Sequence, residues 1–582
     1  MPGLIRGHLP ANAARLSPRC AERGLLTRRL ERDLTEQNPE RNPESTHQPT
    51  RARGGLLRST VLVGALTLLS RILGLARDIV FAKLFGAGIL MDAFFMAFRI
   101  PNIFRRFFAE GSFSVSFVPV FAEYDENRPK AEAKLLADRV AGTLGLVLLG
   151  FTALGVIGAP VLIAFAGMGW LLNPEADSAA KFDLSVSMLR FTFPYLLFIS
   201  LTALAGAILN TYHRYAAAAF APVLLNVVLI AFAALVAPNF SQPGIVLAIG
   251  VFVAGVVQLL SMLPSLARIG MLPRPVWGWS DPGVKRIMRL MVPAIFGSSV
   301  AQINILFDSL MASFLITGSI SWLYYSDRLM EFPLGVFGVA LATVILPNLS
   351  RHFAAESMDR FAAMLDWALR LVILISLPAT IGLFLLAGPL LTTMFFGGRF
   401  GEEDVTMASF SLMAYAFGLL GFILVKVLVP GYYARQDTKT PVKIGIFALV
   451  LNMVLNVIIV VPWSQLGFPG PHAGLAAATS LTSFVNAGML YRGLRREKVI
   501  VHTPGWAAFL SKITVASVVM AGLLAWLVPD QAQWLEAGFV KNCIWLTLAV
   551  VCGAAVYVLA LLAMGIRPAE FKQRPSAKSG VG

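Results

Sequence analysis

The sequence predicts an all-α polytopic membrane protein that crosses the bilayer about fourteen times, and three observations carry that reading. Of its 582 residues, 57% are hydrophobic and 14% charged, with a mean hydropathy of +0.73, whereas soluble domains carry about 25% charged residues. Apolar stretches long enough to cross the ~30 Å hydrocarbon core recur from residue 59 onward. The basic residues between them fall on alternate sides, as a consistent topology requires.

Residues 1–55 are rich in Arg, Pro, Glu and Asn and lack an apolar run. They read as a disordered cytoplasmic tail or as the product of a misassigned start, and not as a signal peptide. The expected spans then run 59–85, 90–120, 138–166, 186–210, 216–237, 244–267, 286–317, 321–350, 361–387, 405–433, 441–462, 472–493, 505–528 and 541–565.

One set of connecting loops carries Arg128, Lys130, Lys134 and Arg139, then Arg214, then Arg268, Arg274, Lys285, Arg286 and Arg289. It continues with Arg351 and Arg360, Arg435, Lys439 and Lys443, then Arg492, Arg495, Arg496 and Lys498, and ends at Arg567, Lys572 and Arg574. The opposite set has almost no basic residues beyond Lys181, Arg399 and Lys541, and shows Glu175, Asp177, Asp183, Glu402, Glu403 and Asp404 instead. The positive-inside rule places both termini in the cytoplasm.

The two halves are faintly alike: Phe107 to Tyr124 carries Pro119 before a charged exit, and Phe332 to Phe353 carries Gly338, Pro347 and a similar exit. A six-plus-six duplication with two further helices fits, a plan known among transporters. The expected organisation is therefore a tail at 1–55, a first lobe at 56–268, a second lobe at 269–497, a final helix pair at 498–566 and a cytoplasmic tail at 567–582.

Composition also excludes functions. The net charge of +16 is spent on loops and tail rather than on a soluble basic face, which argues against nucleic acid. Cys543 and Cys552 sit ~13 Å apart along one helix, too far to bridge, and six scattered histidines form no zinc pattern. The loops are too short to hold an enzyme's paired acid and base in a soluble domain, or a scaffold's binding domain.

An ionised side chain at the bilayer centre costs ~2.5–3.5 kcal/mol on insertion scales, so each intramembrane charge needs a reason. The first span holds Arg71, Arg77, Asp78 and Lys83. Arg71 and Asp78, seven apart, share a helix face, while Arg77 lies ~120° around from Arg71, so Asp78 cannot satisfy both. The second span adds Asp92, Arg99, Arg105, Arg106 and Glu110, with Pro101 and Asn102 expected to break its helix. The eighth adds Asp327, Arg328 and Glu331 within YYSDRLMEFP.

Cations exceed acids in this set. Guanidinium groups bind phosphate oxygens bidentately and never lose their charge, so an excess of them converging from several helices predicts a water-accessible anion site. Snorkelling or internal pairing is the competing explanation, above all for Lys83, Arg99 and Arg106, and Arg190 and Lys426 near span ends read as interfacial anchors. Asp308, an acid with no basic neighbour on its own helix, either joins helices by a hydrogen bond or, with Asn452 and Asn456, supplies oxygens to a hard cation.

The stretches LLSRILGLARDIVFAKLFGAG at 68–88 and DAFFMAFRIPNIFRRFFAEGSFSVSFVPVFAEY at 92–124 closely resemble the lipid II flippase family known as MurJ or MviN. The likeness continues through FAPVLLN at 220–226, SWLYYSDRLMEFPLGVFGVALATVILP at 321–347 and VKVLVPGYYARQDTKTPVKI at 425–444. It implies the fold of the multidrug/oligosaccharidyl-lipid/polysaccharide exporter superfamily: two six-helix lobes around a cationic cavity, and two more helices lining a lipid groove.

The resemblance also implies a substrate, undecaprenyl-pyrophosphate bearing the disaccharide-pentapeptide of peptidoglycan, moved by alternating access from the cytoplasmic to the periplasmic leaflet of the bacterial inner membrane. The family's cavity arginines fall on Arg71, Arg77, Arg105 and Arg328, and its second-helix acid on Asp92. Asp78, Asn102, Asp327 and Glu331 stand beside them as supporting groups. The family's sodium site falls on Asp308, Asn452 and Asn456, the last an acid in some members.

No organic cofactor is expected; sodium or the membrane potential is the expected coupling. Lipid II, membrane lipids and the cell-wall or division machinery are the expected partners. The alternatives are another lipid-linked oligosaccharide or drug exporter of the superfamily, or an enzyme or scaffold of cell-wall synthesis.

Overall fold

The computed structural model describes residues 50–108, 112–173, 176–500 and 504–567. The expected tail from residue 1 to 49, the end from 568 onward, and Glu110 and Glu175 lie outside them. The chain divides into two units, Met1–Val61 and Leu62–Gly582, and in the first the described residues are helical from Thr50. That helix begins within the stretch expected to be disordered. Everything below concerns the second unit.

The helices in order are α1 (Thr50–Phe85), α2 (Ile89–Phe108), α3 (Ser112–Asn127), α4 (Lys130–Ile157), the short α5 (Ala159–Ala166) and α6 (Met168–Leu172), α7 (Ala176–Thr192), α8 (Tyr195–Thr211), α9 (Tyr215–Ala231) and α10 (Pro243–Arg268). There follow α11 (Pro282–Ala312), α12 (Ser319–Pro333), α13 (Ala340–Ala354), α14 (Met358–Leu385), α15 (Ala387–Phe395), α16 (Glu402–Tyr433), α17 (Lys439–Gln465), α18 (Ala473–Arg496), α19 (Trp506–Leu527), α20 (Gln531–Glu536) and α21 (Phe539–Ala563). Between α12 and α13 the helix widens into a π-helical turn, Leu334–Val339.

Among the described residues, 11 helical stretches are long and apolar enough to cross a membrane. The second helix, α2, is not among them: Asp92, Arg99, Arg105 and Arg106 all fall within its 20 residues. One expectation fails locally: Pro101 and Asn102 do not end the second helix, which continues to Phe108 with Pro101 buried inside it. Proline withholds one N–H donor, which kinks a helix without ending it when neighbouring helices hold both flanks.

Caps fix several helix starts. Asp281 accepts the N–H groups of Gly283 and Val284 at 2.8 and 3.1 Å and opens α11, and Asp404 reaches back to the Gly401 N–H at 3.0 Å at the start of α16. Helices α2 to α10 pack chiefly on one another, as do α12 to α18, while α11 lies against both α3 and α17. A separate small core around Phe509, Ile513, Met520 and Trp534 seats α19 to α21 on α14 and α15. Trp526, Ile157 and Leu235 stand outward and uncovered, as lipid-facing side chains do where no hydrophobic force drives them inward.

Candidate substrate-binding cavity

Arg77 and Asp78 on α1 are buried, with 6% and 1% exposure. Arg77 donates to Asp78 Oδ1 from Nε at 3.0 Å and Nη2 at 2.7 Å, to Asn226 Oδ1 on α9 at 3.2 Å, and to the Tyr324 hydroxyl on α12 at 2.9 Å. Asn226 in turn donates to the Ser70 carbonyl at 3.0 Å, pinning α1 to α9. Asp78 Oδ2 lies 3.4 Å from Arg328 Nε, and its Oδ1 accepts from Tyr324 at 3.2 Å. Arg328 completes the group by donating to Tyr324 at 3.2 Å and Glu331 at 2.9 Å. Two guanidinium groups thus share one buried carboxylate and one hydroxyl, and Phe95 stacks on the Tyr324 ring with centroids 3.8 Å apart.

Beside this network lies a cavity of about 700 Å³ between α1, α8, α9, α12 and α16. Arg71, Arg328 and Lys426 line it, with Glu331 the one acid among its lining residues and Ser70, Asn210 and Tyr215 as neutral polar groups. Three cations against one carboxylate leave the wall electropositive. Arg71 is exposed to this space and has no ion pair among the described residues. Its guanidinium rests in the gap left by Gly335 in the π-helical turn, where a Cβ would come within 2.3 Å of Nη1. Single π-helical turns are frequent at functional sites because they displace a helix face locally.

The expected residues divide. Arg71, Arg77, Asp78, Arg328 and Glu331 come together; the shared face of Arg71 and Asp78 does not join them, because Arg77 and Arg328 occupy the carboxylate. Arg105 instead donates to Asn102 at 3.1 Å on its own helix, away from the cavity wall. Asp92, 2% exposed, faces the opposite side: it accepts from Gly318 N at 2.7 Å and from Ser321 N and Oγ at 2.9 and 2.6 Å, capping α12. Lys426 was expected to be an anchor and is a wall residue, while Tyr324 and Asn226 were not singled out at all. The spacing of Tyr324 and Arg328, four residues on one helix face, was the available signal.

Asp327 is not among the residues lining the cavity; it lies within electrostatic reach of Glu331 and Arg328 and also of Arg99 and Asp308. There Arg99 donates to Ser309, and Asp308 accepts from Asn304 at 3.1 Å and Asn456 at 2.7 Å. Asn456 also donates to Asn452 at 3.2 Å, and Asn452 to Thr479 at 3.3 Å. The side-chain oxygens of Asn304 and Asn456 are buried without a hydrogen-bond donor.

The cavity lies toward the side bearing Arg214, with Asn210 and Tyr215 in its wall; toward the other side the helix ends are joined by hydrogen bonds. Arg399 N donates to the Lys83 carbonyl at 2.9 Å, Tyr325 donates to the Gly86 carbonyl at 3.3 Å, and Trp322 Nε1 donates to Asp404 at 2.8 Å. Gly86 and Gly398 have φ of +72° and +64°, and a Cβ on either would strike main-chain atoms at 2.5 and 2.1 Å.

A family model described as lipid II flippase MurJ matches residues 81–563. A probable lipid II flippase MurJ of Vibrio cholerae serotype O1 is 50% identical over 519 residues, covering 89% of this chain and 98% of that one. The lipid II flippase MurJ of Burkholderia cenocepacia is 40% identical over 525 residues, covering 89% and 99%. A solved lipid II flippase MurJ in an inward closed conformation superposes with a TM-score of 0.69 at 25% identity, over 86% of this chain and 100% of that one. An inward-facing multidrug MATE transporter shares the fold, with a TM-score of 0.60 at 15% identity over 75% of this chain and 98% of that one.

Proposed function

The chain belongs to the lipid II flippase MurJ family, and on that premise we propose how its cavity moves the lipid-linked peptidoglycan precursor from the cytoplasmic to the periplasmic leaflet. It is a transporter and not an enzyme. The observation that carries the mechanism is the cavity wall of Arg71, Arg328 and Lys426 against the lone carboxylate of Glu331. The pyrophosphate of lipid II fits that excess of cations, and guanidinium presents paired donors to its oxygens. Asp78, Arg77, Tyr324 and Asn226 hold Arg328 and α1 in register beneath it.

The side with the basic loops is cytoplasmic, so this state is open inward and closed outward. Residues 56–268 and 269–497 act as the two lobes, and 498–566 guides the polyprenyl chain in lipid. Rocking of the lobes breaks the outer contacts of Lys83, Gly86 and Asp92 and reopens the cavity to the periplasm of the bacterial inner membrane. Outward movement of an anionic headgroup runs with an inside-negative potential, ~2.3 kcal/mol per charge per 100 mV.

The residues around Asp308 fit a sodium ion: one carboxylate and two buried amide oxygens without donors form a hard-oxygen set. Asp308, Asn452, Asn456 and Asn304 would hold the ion, which would supply a positive charge to offset the half-buried carboxylate. Conditional depletion with a leaflet-specific assay for the precursor tests the whole reading. Accumulation in the cytoplasmic leaflet, restored by wild-type protein and not by Arg328→Ala, is expected; restoration by Arg328→Ala removes the anion-site argument.

A further inference from the structure

The turn from Ser313 to Ser321, between α11 and α12, is held by side chains and backbone of the helices that precede it. The Gly169 N–H donates to Ser313 Oγ at 2.9 Å. Lys181 Nζ donates to Thr317 Oγ1 at 3.1 Å, and Thr317 donates onward to Asp177 Oδ2 at 3.4 Å. Asp92 takes the other flank of the same turn through Gly318 and Ser321.

Lys181 is 2% exposed, and no carboxylate among the described residues lies within ion-pairing distance of it. Its ammonium stands 5.7 Å from the centroid of the Trp170 ring; Asp177, one helical turn back on α7, shares Thr317 with it, and Asp92 holds the other flank of the turn. A buried ammonium whose hydrogen-bond acceptor is a neutral hydroxyl is expensive.

We propose that Lys181 is a positioning residue of the outer gate. With Asp92 it forms a clasp of opposite charges on the two flanks of Thr317–Ser321, and this clasp holds the periplasmic side closed while substrate loads from inside. Both charges belong to the first lobe, so when the turn departs they meet outer water together. The clasp is thereby a two-state element whose buried form is stable only with the turn in place. This rests on the alternating-access reading above.

The test uses the full-length protein in liposomes, with Cys20, Cys543 and Cys552 replaced by serine and spin labels on Asp183→Cys and Thr406→Cys, exposed positions at the outer ends of α7 and α16. Lys181→Met should raise the ratio of long to short label separations about tenfold, the size of one charge-assisted hydrogen bond. It should also raise the lipid II concentration needed for half-maximal flipping, since the loading state is depleted, while the unfolding midpoint holds. Lys181→Arg should restore the wild-type distribution.

Thr317→Val, which removes only the acceptor hydroxyl, should move the ratio in the same direction and serves if Lys181→Met fails to fold. An unchanged distribution in the folded variants overturns the clasp, and so does a lowered unfolding midpoint without a change in distribution. A wild-type protein with one separation, with and without lipid II, refutes alternating access itself and the clasp with it.

Discussion

Arg71 and Arg77 stand six residues apart on one helix, yet their environments predict opposite outcomes on truncation. Arg77 is buried and makes four hydrogen bonds, two of them to a carboxylate that is itself buried. Arg77→Ala leaves Asp78 with only the 3.4 Å contact to Arg328 Nε and the Tyr324 hydroxyl. Removing one partner of a buried pair costs about 3–5 kcal/mol, so this variant should unfold at markedly lower temperature. Arg77→Ala with Asp78→Asn removes both charges and should recover part of that loss.

Arg71→Ala removes a side chain with no intramolecular ion pair among the described residues, and its stability should stay within about 0.5 kcal/mol of wild type. Its effect should fall on substrate: losing a hydrogen bond to a charged group is worth about 1.5–3 kcal/mol, or roughly ten- to hundred-fold in affinity for the pyrophosphate headgroup. Thermal unfolding in detergent and lipid II titration, on the same preparations, separate the two. An Arg71→Ala protein as unstable as Arg77→Ala, or one that binds lipid II like wild type, refutes the division into cavity and support.

Gly335→Ala should push the Arg71 guanidinium from its seat and slow flipping several-fold with an unchanged unfolding midpoint; restored flipping in a charge-swapped wall would not be expected, and normal flipping by Gly335→Ala would remove the seat. Sodium should raise the unfolding midpoint of wild type and not of Asp308→Asn, with potassium as the control; equal shifts in both proteins would place the ion elsewhere. Asp437 is held below the usual carboxylate range by the Thr440 side chain and by the N–H groups of Thr440 and Lys439. A depressed folded pKa stabilises above the unfolded value of ~3.9 and loses that contribution as pH falls through the folded one. Amide exchange at Lys439 and Thr440 should therefore stay slow at pH 5 and quicken only below the unfolded value; Asp437→Ala should quicken it at every pH.

Membrane periodicity and loop charge made the helical architecture legible from the sequence, because lipid imposes length and polarity on every span. The excess of cations was legible for the same reason. Which cation meets which partner was not. Helical angles kept Arg71 and Arg77 from sharing Asp78, but the choice between them turns on Asn226 and Tyr324, which arrive from helices distant in sequence. Lys426 near a span end has the signature of an anchor, and only the packing of α16 beside the π-helical turn brings it to the wall. The resemblance set Asp92 beside the cavity arginines; its carboxylate caps a helix more than two hundred residues away, a contact that no local pattern encodes.

The outer seal between Arg399 N and the Lys83 carbonyl joins main chain to main chain, and the Lys83 ammonium turns away toward the Phe539 ring. Side-chain identity at 83 and 399 is therefore free to drift without loosening the join, while Gly86 and Gly398 are not. The rim can therefore change its charge and chemistry at 83 and 399 over generations around two fixed points, and a molecule that recognises those two side chains gains no hold on this join.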